Sequence, residues 1–549
     1  MVIETLTAYA SKGVIIVQLY YNANVYTGEK FAEAFAVEDG KFTFVGSNEE
    51  ADKLNCSERI NLHGKFVCSG FNDSHMHLLN YGQALACADL SANTSSLSGM
   101  LDYLRDFNSC GEFSEENWLV GRGWNQDYFE DTDKMPTRKD LDSVSKDVPI
   151  IISRACGHCI VVNSKAIELA KVDKNTPQVD GGEICYDEFG ELDGRFFDNA
   201  MDYIYSVFPV PNKKQIKEML KKASKALNSY GTTSCQSDDY CVFAVPFELV
   251  NEAYKELIEE GELTVRVYEQ SNFTSLESLK KFVESGLKTN VGDDMFRIGP
   301  LKMLGDGALG ARTAYLSVPY ADDNSTQGFP CFDQKTMDEM ISYANKNDMQ
   351  VAVHSIGDKC LDMLLSAYEK ALNECPRENH RHGVVHCQIT RPDQLKKIEE
   401  LKLHVYAQSI FLDYDIHIVK DRVGEELAKT SYSWKTLMNN GVSVSNGSDC
   451  PVEWPDCLKS MECAVTRCTV KDNLGPYLPS EAFTVKEAID SYTTQSAYAQ
   501  FAENYKGKIK ENYLADFVIL DESPFEVKPK HIHEIKVNST YLGGVKVFG

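Results

Sequence analysis

The feature that most constrains the fold is a regular alternation of short apolar segments with amphipathic helical segments. Short runs of β-branched residues bounded by turn residues are typical of buried parallel strands, and helices separate such strands in α/β proteins. Helical segments are predicted at 214–229, 246–260, 276–285, 334–346, 361–373 and 392–401. Eight strands are predicted at 66–77, 231–236, 263–269, 297–304, 349–354, 382–386, 403–408 and 441–446. Eight strands separated by helices predict a (β/α)8 TIM barrel of the α/β class.

The two ends of the chain have a different sequence pattern, in which short strands follow one another without long helices. Residues 17–22, 35–46 and 59–63 near the N-terminus, and 507–509, 515–521 and 537–548 near the C-terminus, predict short strands. The pair Asp39-Gly40 predicts a hairpin turn inside the second of these segments. Because chain ends often lie close together, both ends are expected to form one small β-sandwich domain that flanks the barrel.

These patterns predict three parts and one insertion. Residues 1–68 and 505–549 are expected to form the β-domain, and residues 69–504 the barrel. The chain between His77 and Gly231 is too long for one connection between a strand and the next. An insertion at about 85–215 is therefore expected after the first barrel strand.

Net charge and cysteine content limit the partners and the compartment. The formal net charge of −26 disfavours binding to nucleic acid or to an anionic membrane, so a small-molecule substrate is expected. The apolar run 13–17 is too short to cross a bilayer, and no basic segment of a signal peptide precedes it. Seventeen cysteines without an export signal predict a reducing, cytoplasmic location.

Two histidines close the first predicted strand. His75 and His77 are two positions apart, so on a strand they project from the same face and can reach one metal ion. Asp73 shares that face but lies deeper in the barrel, and a supporting carboxylate is the expected role.

Four further strands end at residues that can bind a metal. The set comprises Lys302, His354, His386 and Asp449. Active sites of barrel enzymes lie at the C-terminal ends of the strands, and histidine nitrogens with a carboxylate are ligands that catalytic zinc prefers. Asp449 is predicted both to bind the metal and to accept a proton from the attacking water.

Lys302 leaves two alternatives open. An ammonium group cannot bind a cation, but a lysine carbamate can bridge two ions as a carboxylate does. Carboxylation of Lys302 thus predicts two metal ions, whereas an ordinary lysine paired with a carboxylate such as Asp306 predicts one.

The complete set resembles the amidohydrolase superfamily, and within it the YtcJ-like or N-substituted formamide deformylase type. The resemblance covers essentially the whole chain, and the motifs together are highly specific. The matching segments are 70–77 (GFNDSHMH), 302–310 (KMLGDGALG), 312–314 (RTA), 354–358 (HSIGD), 386–388 (HCQ), 447–452 (GSDCPV) and 154–158 (RACGH).

The resemblance implies a metal-dependent hydrolase of non-peptide carbon–nitrogen bonds with one or two metal ions, usually zinc. The implied metal ligands are His75, His77, Lys302, His354, His386 and Asp449. By analogy a homodimer is expected. Two departures leave every implied ligand in place: Ser69 stands where many members have proline, and Cys450 stands where alanine is usual.

Four other residues are candidates for substrate contact, each with a structural role as the alternative. Trp124 and His158 lie in the insertion, Arg312 follows the fourth strand and Gln408 ends the seventh. His382 lies four residues before His386 and is expected to be structural.

Two other classes of function compete with the hydrolase. The segment Cys156-Gly-His-Cys159 has the C-x-x-C spacing of a thiol–disulfide oxidoreductase, although no compact βαβ domain surrounds it. A non-catalytic relative that keeps the barrel is the third class, and the complete ligand set argues against it.

Overall fold

The computed structural model describes residues 17–91, 95–155 and 158–549. The chain forms two compact units. The first comprises Met1–Tyr81, Leu220–Val242 and Pro246–Gly549, and the second comprises Gly82–Met219 and Phe243–Val245. No helix in the described ranges is long and apolar enough to cross a membrane.

An eight-stranded parallel sheet lies at the centre of the first unit. Its strands, in chain order, are β1 (Phe71–Met76), β2 (Thr232–Ser237), β3 (Arg266–Asn272), β4 (Phe296–Leu304), β5 (Val351–Ser355), β6 (Gly383–His386), β7 (His404–Ala407) and β8 (Val444–Asn446). Each strand pairs in parallel with the next. Beyond β8, the Asp449 N–H donates to the His75 carbonyl at 2.8 Å, which joins the two edges of the sheet. The predicted TIM barrel is confirmed.

Amphipathic helices cover the strands. In the helix Leu276–Glu284, Leu279 and Phe282 are buried against the barrel, and the Ser275 hydroxyl caps the first turn. The helix predicted at 334–346 has those bounds, and the other predicted helices differ by a few residues at their ends. The helices of this unit that follow barrel strands include Phe247–Glu259, Leu276–Glu284, Gln334–Lys346, Asp358–Glu374, Pro392–Glu400, Val419–Ala428, Trp434–Asn439, Cys457–Thr466, Val485–Ser491 and Thr494–Ala499.

Two smaller sheets flank the barrel, and the second of them joins the chain ends. One contains Lys41–Gly46, Ala34–Glu38, Gln18–Tyr21 and Glu58–Asn61, in that order. The other contains Val545–Phe548, Val537–Leu542, Phe517–Leu520, Phe66–Ser69, Asn24–Tyr26 and Phe31–Ala32. Tyr20, Phe35 and Phe517 pack together in the core between them. The flanking β-domain is confirmed, as is the turn at Asp39 and Gly40, which both have positive φ.

Two predicted strands are wrong in detail. The strand predicted at 66–77 is broken at Gly70: Phe66–Ser69 pairs with Phe517–Leu520 in the flanking sheet, and only Phe71–Met76 belongs to the barrel. A Cβ at Gly70 would lie 2.3 Å from Thr233 Oγ1, so the chain passes β2 too closely for a side chain. Residues 507–509 form no strand, because the chain turns at Gly507 with φ of 86°.

The second unit has its own sheet and core. The strands, in spatial order, are Gly182–Tyr186, Leu192–Asp198, Cys159–Val162, Ile150–Arg154, Leu119–Trp124 and Ala88–Asp89. Helices Leu97–Cys110, Arg138–Asp142, Ser164–Ala170 and Asp202–Tyr205 belong to the same unit. Apolar side chains on both faces of the sheet, including Ile152 and Ile160, are fully buried.

Candidate metal centre

The C-terminal ends of the barrel strands bring the predicted ligands together. His75 Nε2 lies 3.2 Å and His77 Nε2 3.0 Å from Asp449 Oδ1. Ligand atoms of His75, His386 and Asp449 all lie within 4.8 Å of one another. The rings of His354 and His386 have centroids 4.4 Å apart, so the fifth strand reaches the same cluster.

Each histidine is held through one ring nitrogen by a neighbouring oxygen acceptor. The pairs are His75 Nδ1 with Gln270 Oε1 at 2.7 Å, His77 Nδ1 with the Asp238 carbonyl at 3.1 Å, His354 Nε2 with the Gly307 carbonyl at 3.1 Å, and His386 Nδ1 with Gln408 Oε1 at 2.8 Å. Such contacts fix the ring and leave its other nitrogen for a metal. This set of nitrogens, together with the Asp449 carboxylate, fits a divalent transition metal.

Burial and mutual contacts set the charges of these groups. Burial raises the pKa of Asp449, but the hydrogen bonds from His75 and His77 outweigh it and hold that pKa well below its usual range. Burial lowers the pKa of His77, yet the hydrogen bond to Asp449 and the nearby carboxylates raise it to about 9. Burial lowers the pKa of His354 to about 3, and Lys302 adds to this effect. His354 is therefore neutral, as a metal ligand must be.

Lys302 lies inside the barrel beside an aspartate that the sequence did not suggest. Its Nζ is 3.3 Å from Asp238 Oδ2, and both side chains are buried. The Asn272 side chain also donates to Asp238 Oδ2, at 3.0 Å. The ion pair anticipated with Asp306 is therefore wrong: Asp306 instead accepts from the N–H groups of Ile356 and Gly357.

Asp73 supports the centre from below. Its carboxylate accepts from the Ser448 N–H at 3.0 Å and the Ser448 hydroxyl at 2.6 Å, and its Oδ1 accepts from the His75 N–H at 3.2 Å. Burial raises the pKa of Asp73 to about 7, against the effect of these hydrogen bonds. The carboxylate thus ties the end of β1 to the segment after β8.

The backbone is strained at two of the predicted ligands. His386 has φ of 74° and Asp449 has φ of 58°, and Cys387 follows His386 with φ of 50°. Left-handed backbone costs about 1–3 kcal/mol at a residue that has a side chain. Such strain clusters at functional sites, where the rest of the fold enforces it.

The predicted substrate-contacting residues have different surroundings. Gln408 is fully buried and holds His386, while its Nε2 has no hydrogen-bond partner among the described residues. Arg312 is half-buried and makes two hydrogen bonds to Asp322. Their roles in substrate binding stay predictions.

Two of the other predicted residues belong to the second unit. Trp124 is fully buried in the core of the second unit, and His158 is exposed with Nδ1 2.8 Å from Asp198 Oδ1. His382 accepts from the Val351 N–H at the opposite end of the barrel, in keeping with a structural role. Of the C-x-x-C pair, Cys156 lies outside the described residues, and Cys159 is buried on a strand.

Sequence reasoning missed Gln270 and Asp238. Each follows a predicted strand: Gln270 comes directly after 263–269, and Asp238 comes shortly after 231–236. Asp238 also follows β2 directly, and metal-binding residues hold that position on other strands. That position was the available signal for Asp238. Gln270 gave no signal, because a glutamine on a strand has no ligand chemistry of its own.

Comparison with known proteins gives consistent matches over almost the whole chain. A family model described as "Amidohydrolase family" matches residues 58–548. The chain is 34% identical over 542 residues to "Putative amidohydrolase YtcJ" of Bacillus subtilis (strain 168), which covers 96% of this chain and 99% of that protein. It is 24% identical over 542 residues to N-substituted formamide deformylase of Arthrobacter pascens, with coverage of 95% and 97%.

A solved structure supports the same assignment. An uncharacterized metal-dependent hydrolase from Pyrococcus horikoshii OT3 superposes with a TM-score of 0.78 and 30% sequence identity. The match covers 94% of this chain and 99% of that chain.

Proposed function

Because this chain belongs to the amidohydrolase family, we propose that it is a metal-dependent hydrolase that cleaves a non-peptide carbon–nitrogen bond of a small molecule. The bond is an amide, an N-formyl group or a cyclic amide. The observation that carries the proposal is the convergence of His75, His77 and His386 on Asp449 at the open ends of the strands. Each of these rings is held by a partner through its other nitrogen.

Six residues would hold the metal: His75, His77, Lys302, His354, His386 and Asp449. Lys302 would take part only as a carbamate, and two ions are proposed in that case and one otherwise. We propose zinc, because imidazole and carboxylate are its usual catalytic ligands. When bound, the ion supplies Lewis-acid activation of a water molecule and of the carbonyl group.

Asp449 is the proposed proton carrier. Its carboxylate is ionised and points into the cluster of histidines, so Oδ1 can accept the proton of the attacking water. As the water oxygen bonds to the carbonyl carbon and the carbon–nitrogen bond breaks, Asp449 returns that proton to the leaving nitrogen. Gln270 and Gln408 keep His75 and His386 in one orientation throughout.

Several finer assignments belong to the same proposal. We propose a β-domain formed by residues 1–68 and 505–549, and a barrel at 69–504 with an insertion at about 85–215. We also propose a cytoplasmic location, a homodimer, and substrate contacts by Trp124, His158, Arg312 and Gln408.

Metal analysis joined to a substrate screen tests the proposal. Purified protein is expected to hold one or two transition-metal ions per chain, to lose activity towards N-formyl, N-acyl, cyclic amide or carbamate compounds on chelation, and to regain it with zinc. Full activity in metal-free protein would contradict the proposal. The Lys302→Ala variant separates the metal counts, since unchanged metal content and rate would exclude a carbamate ligand.

The alternative function, that of a thiol–disulfide oxidoreductase, is tested with variants of the same protein. Disulfide reduction that survives His75→Ala but not Cys156→Ser would favour it over the hydrolase.

A further inference from the structure

A second segment of the chain runs beside the turn that carries His386. Residues 386–390 leave β6, and residues 430–434 lie against them, so that hydrogen bonds join the two segments at every second residue. The bonds beyond the ligand are those of the Tyr432 N–H with the Gln388 carbonyl at 2.6 Å, of the Thr430 hydroxyl with the Thr390 carbonyl, and of the Thr390 hydroxyl with the Thr430 carbonyl. We call residues 430–434 the bracing segment.

Trp434 ends the bracing segment and contacts the ligand itself. Its indole N–H donates to the His386 carbonyl at 2.9 Å, and both side chains are buried. His386 has φ of 74° and Cys387 has φ of 50°, so two consecutive residues with side chains adopt the left-handed backbone. Such a conformation persists only where the surrounding structure enforces it. The Trp434 N–H supplies one such constraint at the strained ligand.

The end of β5 holds the same turn through separate hydrogen bonds. The Cys387 N–H donates to the Ser355 carbonyl at 3.1 Å, and the Ile389 N–H donates to the Ile356 carbonyl at 2.9 Å. These bonds fix the backbone after the ligand, while the bracing segment fixes the carbonyl of the ligand. With both in place, the peptide group of His386 keeps one orientation, and so does the imidazole attached to it.

The Trp434 ring is itself held firmly. The Arg467 guanidinium lies 6.0 Å from the centroid of the ring, a distance at which a cation is attracted to an aromatic face. The Tyr432 ring contacts it edge-to-face, with centroids 5.4 Å apart. Trp434 is also the first residue of a helix, which fixes its backbone. A side chain with its position fixed in this way can orient a neighbouring group.

From these contacts we infer that Trp434 is a positioning residue of the metal centre, which holds the His386 peptide group so that the imidazole meets Asp449. The inference rests on the proposed metal-dependent hydrolase function. Without the indole N–H, the His386 carbonyl loses this partner and the left-handed backbone loses a constraint, so the ring turns away from the other ligands. Metal affinity is therefore expected to fall while the fold is kept.

Two replacements of Trp434 separate its N–H group from its bulk. Trp434→Phe removes the donor and part of the ring system. Replacement by 3-benzothienylalanine removes the donor alone, because sulfur takes the place of the indole N–H and the shape is kept. Trp118→Phe is the matched control, since Trp118 is also buried and its indole N–H donates to the Glu115 carbonyl at 3.0 Å in the second unit.

Three measurements are made on each full-length protein: the zinc dissociation constant by titration against a competing chelator, the visible absorption of the cobalt-loaded form, and the urea unfolding midpoint. Both Trp434 replacements are expected to raise the dissociation constant about tenfold and to shift the cobalt absorption bands. Trp118→Phe is expected to change neither, although its unfolding midpoint falls about as far as that of Trp434→Phe. A purely structural role for Trp434 would lower the midpoint alone.

Equal dissociation constants and cobalt spectra in the wild type and both Trp434 proteins would overturn the inference, and hydrolysis by the same proteins would leave the proposed function standing. Weaker metal binding in Trp434→Phe but not in the benzothienylalanine protein would also overturn it, because the bulk of the ring would then be responsible. The benzothienylalanine protein alone decides the question if Trp434→Phe does not fold. Weaker metal binding in proteins that hydrolyse none of the screened compounds would support the positioning role and contradict the proposed function alone.

Discussion

The two ends of the barrel both bury polar and charged side chains, but they satisfy them differently. At the N-terminal ends of the strands, Arg266 binds Asp516 through two hydrogen bonds of 2.7 and 2.9 Å. There Gln350 Nε2 donates to the Arg381 and Ala499 carbonyls, and its Oε1 accepts from the Tyr268 hydroxyl. The hydrogen bonds of Arg266 and Gln350 are made to other groups of the same chain. This end of the barrel therefore stabilises the fold.

At the C-terminal ends of the strands, some polar atoms of the described residues have no such partner in the chain. The rings of His75 and His386 are each held by a glutamine through one nitrogen, and their other nitrogens converge with the Asp449 carboxylate. The buried Gln408 Nε2 has no hydrogen-bond partner in the described ranges. Buried polar groups are normally paired, so an unpaired amide beside converging ligand atoms indicates a site that a ligand completes.

The largest expected effect is on catalysis at the C-terminal end. Asp449→Asn keeps the shape of the side chain but removes its ability to accept a proton, so kcat/KM is expected to fall about a thousandfold. Steady-state kinetics on the metal-loaded variant measure this. Asp415→Asn is the control, since Asp415 is buried near the same end and contacts Tyr432 and Gln388. Equal losses of kcat/KM in both variants would show that Asp449 is not the proton acceptor.

The next effect is on stability at the N-terminal end. Arg266→Ala leaves the Asp516 carboxylate buried without its main partner, which is expected to lower the free energy of unfolding by about 3–5 kcal/mol. Urea denaturation followed by circular dichroism measures it. The control Arg59→Ala removes an exposed pair with Asp52 and is expected to cost at most about 1 kcal/mol. A similar small cost for Arg266→Ala would break the comparison between the two ends.

A smaller effect is expected where glutamines hold the ligands. Gln270→Ala and Gln408→Ala are each expected to raise the metal dissociation constant about 10- to 100-fold, because a ring that loses its partner is no longer oriented. Titration against a competing chelator measures the constant. Gln236→Ala is the matched control, since this buried glutamine donates to the Ser496 carbonyl instead of a histidine. Unchanged affinity in both test variants would show that the rings need no such support.

The last effect is a pH dependence at the N-terminal end, and it grows by small steps as the pH changes. Burial lowers the pKa of Lys506 to about 7, against an ordinary value of 10.5, with Asp516 opposing and Arg266 and Arg297 adding to the shift. Between these values the unfolded chain binds more protons than the folded one, so stability rises with pH and the penalty is complete below pH 7.

Comparison of Lys506→Met with the wild type isolates this dependence. The wild type is expected to gain stability relative to the variant between pH 7 and 9, by at most about 1.4 kcal/mol per pH unit. Urea unfolding at both pH values measures the difference. Parallel behaviour of the two proteins would show that Lys506 keeps an ordinary pKa.

Local patterns were enough to predict the barrel and to select candidate ligands. Strand and helix periodicities depend on neighbouring residues, and His354 or His386 stands out because it ends a predicted strand. Contacts between residues on different strands leave no such pattern in the sequence. Gln270 is 195 residues from His75, and nothing near either residue indicates that they meet. The break at Gly70 was missed for a related reason, because the apolar run before it continues into β1 and its close contact with Thr233 comes from β2.

The positive φ angles at His386 and Asp449 set the stability of the fold against the chemistry of the site. Glycine adopts that backbone without strain, so replacing either residue by glycine would relax the chain while removing a predicted ligand. His386→Gly and Asp449→Gly are therefore expected to weaken metal binding and to release backbone strain at the same time. At these two positions the most stable residue is not the one that the proposed metal centre needs.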